Sequence, residues 1–245
     1  MARRVAVLSD VHGNAVALAA VLDEVAAAGV DAIVWLGDLS WGWEPTETLA
    51  LIRAVELPSH FVRGNGERFL LELRDGRDAA TERDAWMVSA HAPDDFAFVE
   101  TYVPRVTLEI AGLGNVLFTH GSPRSDEELL TSATPTARMA SATADIEERV
   151  LVTGHTHVQY DRHVAGVRAI NPGSVGMPYE GRPGAFWAVL GPDVELRCTS
   201  YDLDEAIARI VASSDPAGAR MADTLREPPT PAEMIEQAER VEFAN

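Results

Sequence analysis

The chain has a single cysteine, Cys198, among its 245 residues. No intrachain disulfide can form, and a structural zinc site built on several thiolates is excluded. Such sparing use of cysteine fits a reducing compartment, and a cytoplasmic protein is expected. No run of about 18 apolar residues occurs, so no membrane span is expected. The start, Met1-Ala2-Arg3-Arg4, leads straight into a strand-like run and lacks the apolar stretch and cleavage site of a secretory signal. Basic residues are scarce: 20 Lys and Arg stand against 38 Asp and Glu, a formal net charge of −18. Holding a large nucleic acid requires clustered basic side chains, which argues against that partner. A small phosphate ester stays compatible, because bound cations reverse the local field. Repeats and low-complexity tracts are absent as well.

The length suits one sizeable α/β domain with an ample core. Apolar runs at 4–9, 32–36 and 60–62 read as strands. Helical patterns at 14–28, opened by Asn14 and closed by Gly29, and near 45–55, opened by Pro45, alternate with them. This rhythm predicts a mostly parallel sheet. Residues 67–101 break it with a charged helical insertion, a candidate cap or side wall. Strand-like runs then follow at 105–110, 115–119, 150–153, 158–163, 167–171, 185–190 and 193–199, with turn signals at Gly112-Leu113-Gly114-Asn115 and Gly191-Pro192-Asp193. Helices near 202–213 and 230–241 close the chain. The expected organisation is one domain over 1–245, with the helical insertion 67–101 and a C-terminal helical extension 202–245. Two packed sheets flanked by helices account for the strand count.

Five of the strand-like runs end in a side chain able to bind a metal. Val5–Leu8 precedes Asp10 and His12, Ile33–Leu36 precedes Asp38, Phe61-Val62 precedes Asn65, Val116–Phe118 precedes His120, and Val150–Val152 precedes His155 and His157. In open α/β sheets ligands gather beyond the carboxyl ends of the strands. Parallel neighbours would bring seven oxygen and nitrogen donors to one place, enough for two ions. In extended backbone, residues two apart point the same way, which would let Asp10 with His12, and His155 with His157, reach a common ion. A mixed Asp, Asn and His set suits Mn, Fe, Co, Ni or Zn. Each piece alone is ordinary: Asp-x-His is often a turn, Gly-Asp and Gly-Asn are common turn dipeptides, and two histidines in a loop need hold nothing. The ordered combination is what points to a metal centre.

The series Asp10-x-His12, Gly37-Asp38, Gly64-Asn65, His120-Gly121 and Gly154-His155-Thr156-His157 resembles the calcineurin-like metallophosphoesterases. The later Asn171-Pro172-Gly173-Ser174-Val175-Gly176 resembles a loop of their compact bacterial and archaeal phosphodiesterase branch. The resemblance spans residues 5–190. It implies an α/β fold, a four-layer αββα sandwich of two mixed sheets flanked by helices. It also implies two divalent transition metal ions: Asp10, His12 and His157 on the first, Asn65, His120 and His155 on the second, and Asp38 between them. A carboxylate can bridge two ions, whereas Asn offers only a neutral carbonyl oxygen. The implied activity is hydrolysis of a small phosphodiester by a metal-bound hydroxide. Alternatives are a phosphomonoesterase, a nucleotide or protein phosphatase of the same superfamily, and a metal-poor scaffold that binds a protein partner. A homo-oligomer is compatible with everything above.

Two departures bear on chemistry. Many relatives place a histidine after the Gly-Asn, where this chain reads Gly64-Asn65-Gly66-Glu67. The missing general acid favours substrates with good leaving groups, or another acid such as His91 in the insertion. His60 is expected at the wrong end of its strand. After Gly37-Asp38 the chain continues Leu39-Ser40-Trp41-Gly42-Trp43. This differs from protein phosphatases of the superfamily. Trp41 and Trp43 would stack on a base or aryl group, or pack beneath the insertion. Arg68 and Arg124 follow ligand motifs and are candidates to clamp phosphate oxygens, with Asn65 as a further substrate contact.

Overall fold

A computed structural model describes residues 1–241. In chain order its elements are β1 (Val5–Leu8), α1 (Ala15–Ala27), β2 (Ala32–Trp35), α2 (Pro45–Arg53), β3 (Ser59–Phe61), α3 (Asn65–Arg74), α4 (Glu82–Ala90), α5 (Pro93–Val99), β4 (Arg105–Ile110), β5 (Gly114–Thr119), α6 (Thr136–Ala142), β6 (Val150–Thr153), β7 (Tyr160–Val164), β8 (Val167–Asn171), β9 (Ala185–Leu190), β10 (Val194–Thr199), α7 (Leu203–Ala212), α8 (Gly218–Arg226) and α9 (Pro231–Arg240). Two mixed five-stranded sheets form, in the orders β10-β9-β1-β2-β3 and β4-β5-β6-β8-β7. Within the first, β1, β2 and β3 run parallel, and β9 pairs antiparallel with both β1 and β10. Within the second, β5, β6 and β8 run parallel and β4 and β7 close the edges antiparallel.

The layering follows from the two-residue period of strands. Ala6 and Leu8 of β1 face α1 and α2 in one apolar cluster, together with Leu18, Val21 and Leu49. Val5 and Val7 face the other way, into the seam between the sheets, where they meet Phe118, Val152 and Ile170. The outer face of the second sheet packs Leu117, Leu151 and Ala169 against Met139 and Ala142 of α6. Helices, sheet, sheet and helices therefore stack in four layers, and the central strands are apolar on both faces because both are covered. Asn14 caps α1 by accepting the Ala17 N–H at 3.0 Å, and Gly29 ends it in a left-handed conformation.

Most expected elements sit within two residues of their sequence positions. The strand expected at 158–163 starts only at Tyr160, because the preceding loop runs on to Gln159, whose N–H donates to Glu180. The sequence pattern did not show α6 or α8. Both are short and rich in Ala, Gly or Thr, so neither presents a long apolar stripe. The expected extension 202–245 runs past the described residues at 242–245. No described helix is long and apolar enough to cross a membrane.

Candidate metal centre

The candidate ligands stand just beyond the carboxyl ends of β1, β2, β3, β5 and β6, where the parallel strands of both sheets deliver their loops to one place. The loops are stitched together through backbone. Asp10 N–H donates to Gly37 O, His12 N–H to Asp38 O, and Gly154 N–H to His120 O. The loop at 171–176 joins them: Ser174 Oγ donates to Asp10 O at 2.7 Å, and Asn171 Nδ2 donates to Gly154 O at 2.7 Å.

The local backbone differs from the extended pairs expected. Asp10, His12, Asp38, His155 and His157 all adopt left-handed conformations, with φ of 53°, 49°, 52°, 64° and 58°. Ala165 is the one other non-glycine at positive φ among the described residues. Such conformations are costly for residues with a Cβ, and they persist where surrounding structure imposes them. Asp10 and His12 reach one group through this left-handed geometry and not through strand alternation, whereas His155 and His157 turn to different groups and not to the common ion expected of them.

Six side chains gather into two groups, Asp10 with His12 and His157, and Asp38 with His120 and His155; within each, the candidate donor atoms lie within 4.8 Å of one another. Asn65 joins the second group, its Oδ1 3.0 Å from His120 Nε2. Asp38 faces both groups: Oδ2 lies 3.9 Å from His12 Nε2 and Oδ1 lies 3.5 Å from His120 Nε2.

Hydrogen bonds set the tautomers. His12 Nδ1 donates to Trp41 O, His120 Nδ1 to Leu36 O, and His157 Nδ1 to Met177 O, at 3.0, 2.7 and 2.6 Å. A carbonyl can only accept, so in the neutral rings each Nε2 presents a lone pair to the centre. His155 is held the other way round, with Nε2 donating to Glu127 O at 3.2 Å, which leaves Nδ1. The fit to a cation shows in what these atoms face. His12 Nε2 and His157 Nε2 stand 3.1 Å apart. Asp10 Oδ1 is buried with no hydrogen-bond partner, 3.1 Å from His157 Nε2. A cluster of lone pairs around an orphaned carboxylate oxygen is what a divalent ion would satisfy.

Electrostatics follow from burial among opposite charges. Burial opposes ionisation of Asp10, but His157, His120 and His12 outweigh it and hold the carboxyl below the usual range. Burial also opposes charge on His120, yet Asp38 and Asp10 raise it above an ordinary imidazole. His155 is pushed down to about 4 by burial and then by the His120 charge, and His12 is lowered by burial and His157. Glu67, on the first turn of α3, is 1% exposed and accepts N–H bonds from Asp38, Leu39 and Gly64 at 2.8, 2.7 and 2.9 Å. Burial and the Asp38 charge push it up to about 7. It organises the Asp38 and Asn65 loops, which approach so closely that a Cβ on Gly64 would stand 2.2 Å from Asp38 Oδ1.

A cavity of about 420 Å³ opens over the centre, lined by His12, Asp38, Asn65, His155 and His157 and walled by Trp41, Met177 and Tyr179. Tyr179 stacks on His157, with ring centroids 4.5 Å apart. Arg83 of α4 and Arg220, Met221 and Thr224 of α8 complete the rim. None of these rim residues stood out in sequence, because no motif marks them and α8 itself was not apparent.

The other sequence candidates fall elsewhere. His91 is buried, not a surface histidine of a helical segment, and it does not line this cavity. Its Nδ1 donates to Met87 O at 2.7 Å and its Nε2 pairs with Ser40 Oγ at 3.0 Å, so both nitrogens are engaged away from the cavity and neither is free to serve as an acid. Arg68 and Arg124 line a neighbouring pocket beside His120. Both are already committed, Arg68 to Asp126, Glu127 and Glu72, and Arg124 to Glu128. Trp43 packs with Ile207, Ile210 and Met221 under the C-terminal helices, which leaves Trp41 as the tryptophan at the cavity. His60 is the middle residue of β3, before the strand end that delivers Asn65, and does not line the cavity.

The profile of the calcineurin-like phosphoesterase superfamily domain matches residues 4–191. An uncharacterised protein of Methanocaldococcus jannaschii is 26% identical over 239 residues, which covers 86% of this chain and 93% of that one. A solved metallophosphoesterase from Sphaerobacter thermophilus is also 26% identical, covers 92% of this chain and 98% of its own, and superposes with a TM-score of 0.70. A hypothetical protein from Pyrococcus horikoshii shares the fold at 18% identity and a TM-score of 0.79, over 93% of this chain and 99% of its own.

Proposed function

The chain belongs to the calcineurin-like phosphoesterase superfamily, and from that premise we propose that it is a dinuclear metal-dependent phosphodiesterase acting on small substrates. The observation that carries the reading is Asp38, whose two oxygens face two separate groups of imidazoles. In this reading Asp10, His12 and His157 hold one ion, Asn65, His120 and His155 hold the other, and Asp38 bridges them. Bound divalent ions would supply Lewis-acid polarisation of the phosphoryl oxygens and a water acidified toward neutral pH.

The protein's own residues prepare that chemistry. Three backbone carbonyls fix the tautomers of His12, His120 and His157, so no rotation is needed on loading. Asp38 Oδ1 is oriented by the Gly66 N–H at 2.7 Å, and Glu67 clamps the backbone of the same loop. Asn65 contributes no charge, so the centre retains more positive charge for an anionic substrate. Trp41 and Tyr179 give the cavity flat apolar walls suited to an aryl or nucleoside group. The test is turnover of bis(p-nitrophenyl) phosphate by purified protein loaded with Mn²⁺, Co²⁺, Ni²⁺ or Zn²⁺. Hydrolysis of the diester in preference to p-nitrophenyl phosphate is expected. Preference for the monoester would replace the diesterase reading with a phosphomonoesterase one, and no turnover of either with any of the four metals would overturn both.

A further inference from the structure

The rim of the cavity is built partly by residues outside the 4–191 span of the family match. Helix α8 lies across the mouth and is fixed there. Arg83 of the insertion makes a two-pronged ion pair with Asp215, just before α8, at 3.0 and 3.1 Å, and the Asp215 side chain is fully buried. Trp86 Nε1 donates to Ser214 Oγ at 2.9 Å. Below, Met221, Ala222 and Leu225 pack on Trp43 and Ile210. The insertion and the C-terminal extension, far apart in sequence, thus close on each other over one side of the site.

This arrangement decides which rim charge is available. Arg83 is neutralised by Asp215. Arg220 lines the same cavity and, among the described residues, has no carboxylate within 4.0 Å, whereas most arginines of this acidic chain are ion-paired. Tyr179 lines the same cavity and stacks on His157. Arg220 comes from α8 on the rim of a cavity whose inner lining is His12, Asp38, Asn65, His155 and His157, which places its guanidinium for an arm of the substrate rather than for the scissile phosphoryl group. Its fork of N–H donors matches a phosphate or carboxylate bidentately.

We propose that Arg220 on α8 binds a second anionic group of the substrate, carried on the alcohol beyond the scissile phosphoryl group, so that the site selects small phosphodiesters with a charged arm. This rests on the phosphoesterase reading above. The test uses Mn²⁺-loaded protein and three p-nitrophenyl phosphodiesters whose second alcohol is ethyl, 2-phosphoethyl or 2-carboxyethyl. The expected result is a KM about tenfold lower for one charged arm than for ethyl. Arg220→Met is expected to bring that ratio close to one, and Arg220→Lys to keep part of it. The better of the two arms distinguishes phosphate from carboxylate. Binding is read separately by calorimetry with ethyl, 2-phosphoethyl and 2-carboxyethyl methylphosphonates, in which an inert P–CH3 bond replaces the activated p-nitrophenyl ester. The charged-arm preference and its loss in Arg220→Met should recur there. Hydrolysis of all three esters with no preference, or a preference that Arg220→Met leaves intact, overturns the role of Arg220 alone. Absence of hydrolysis with the binding preference preserved overturns the phosphoesterase reading and leaves the anion site standing.

Discussion

Gly66 and Trp41 occupy each other's space. A Cβ built on Gly66 would stand 2.8 Å from Trp41 Cβ, 3.0 Å from Trp41 Cγ and 2.9 Å from Asp38 Oδ1. The Gly66 N–H meanwhile donates to Asp38 Oδ1 at 2.7 Å. The position where many relatives carry a histidine is therefore closed to any side chain while Trp41 walls the cavity. The absent acid and the present indole are two sides of one packing choice.

Gly66→Ala is accordingly expected to push Trp41 or Asp38 aside, lowering stability by about 1–3 kcal/mol and reducing turnover. Gly66→His should be worse alone and partly recovered in combination with Trp41→Gly. Thermal melts and kcat/KM on one aryl diester check both. With glycine at position 66, where the resembled motif has a histidine, rates in the unaltered protein should fall steeply as the leaving alcohol's pKa rises. The Gly66→His, Trp41→Gly protein should show a shallower dependence across the same ester series.

Glu67 offers a pH test. In the metal-free protein its folded-state pKa, about 7, exceeds the ordinary value of 4.5. Its contribution is then fully present below about pH 4.5 and is lost as the pH rises through about 7. In EDTA, the melting-temperature advantage of the unaltered protein over Glu67→Gln should shrink across that window, and a constant gap would contradict the assignment. Glu67→Ala strands three buried N–H groups and should cost about 3 kcal/mol or more, with weaker metal uptake.

His120 makes metal loading a proton-releasing reaction. Asp38 and Asp10 raise it above an ordinary imidazole despite burial, so protons compete with a metal for His120 more strongly than for an ordinary histidine. Calorimetric titration of Mn²⁺ in buffers of different ionisation enthalpy should reveal proton release that grows as the pH is lowered, with affinity falling in step. His120→Ala should remove that release and, like Asp38→Ala, reduce both metal content and turnover by about 100-fold or more.

The ion pair between Arg83 and Asp215 tests whether the two helical segments form one cap. Asp215→Asn leaves the guanidinium without its buried partner, a loss of about 3–5 kcal/mol at most because Arg83 is partly exposed. Hydrogen exchange should rise together in α4 and α8 and stay unchanged in β1 and β6. Exchange confined to one of the two helices would show that they move independently.

The strand ends and the order of the ligand motifs were readable in the sequence, whereas the split of Ala6 and Leu8 from Val5 and Val7 was not, because Val5–Leu8 is apolar throughout and both faces are covered. The readable features depend on local chemistry: apolar runs, turn residues, and metal-binding side chains at fixed offsets. The left-handed backbone at Asp10, His12, Asp38, His155 and His157 was not readable, because five neighbouring loops impose it jointly. The fates of His91, Arg68 and Arg124 were hidden for the same reason. Whether a polar group is free or spent depends on partners such as Ser40, Asp126 and Glu128 that only the tertiary structure brings near. Sequence alone placed seven metal-binding side chains at strand ends. Tertiary packing alone decided that α8, lacking a long apolar stripe, would be tied to the insertion through Asp215 and leave Arg220, among the described residues, without a carboxylate partner at the mouth of the site.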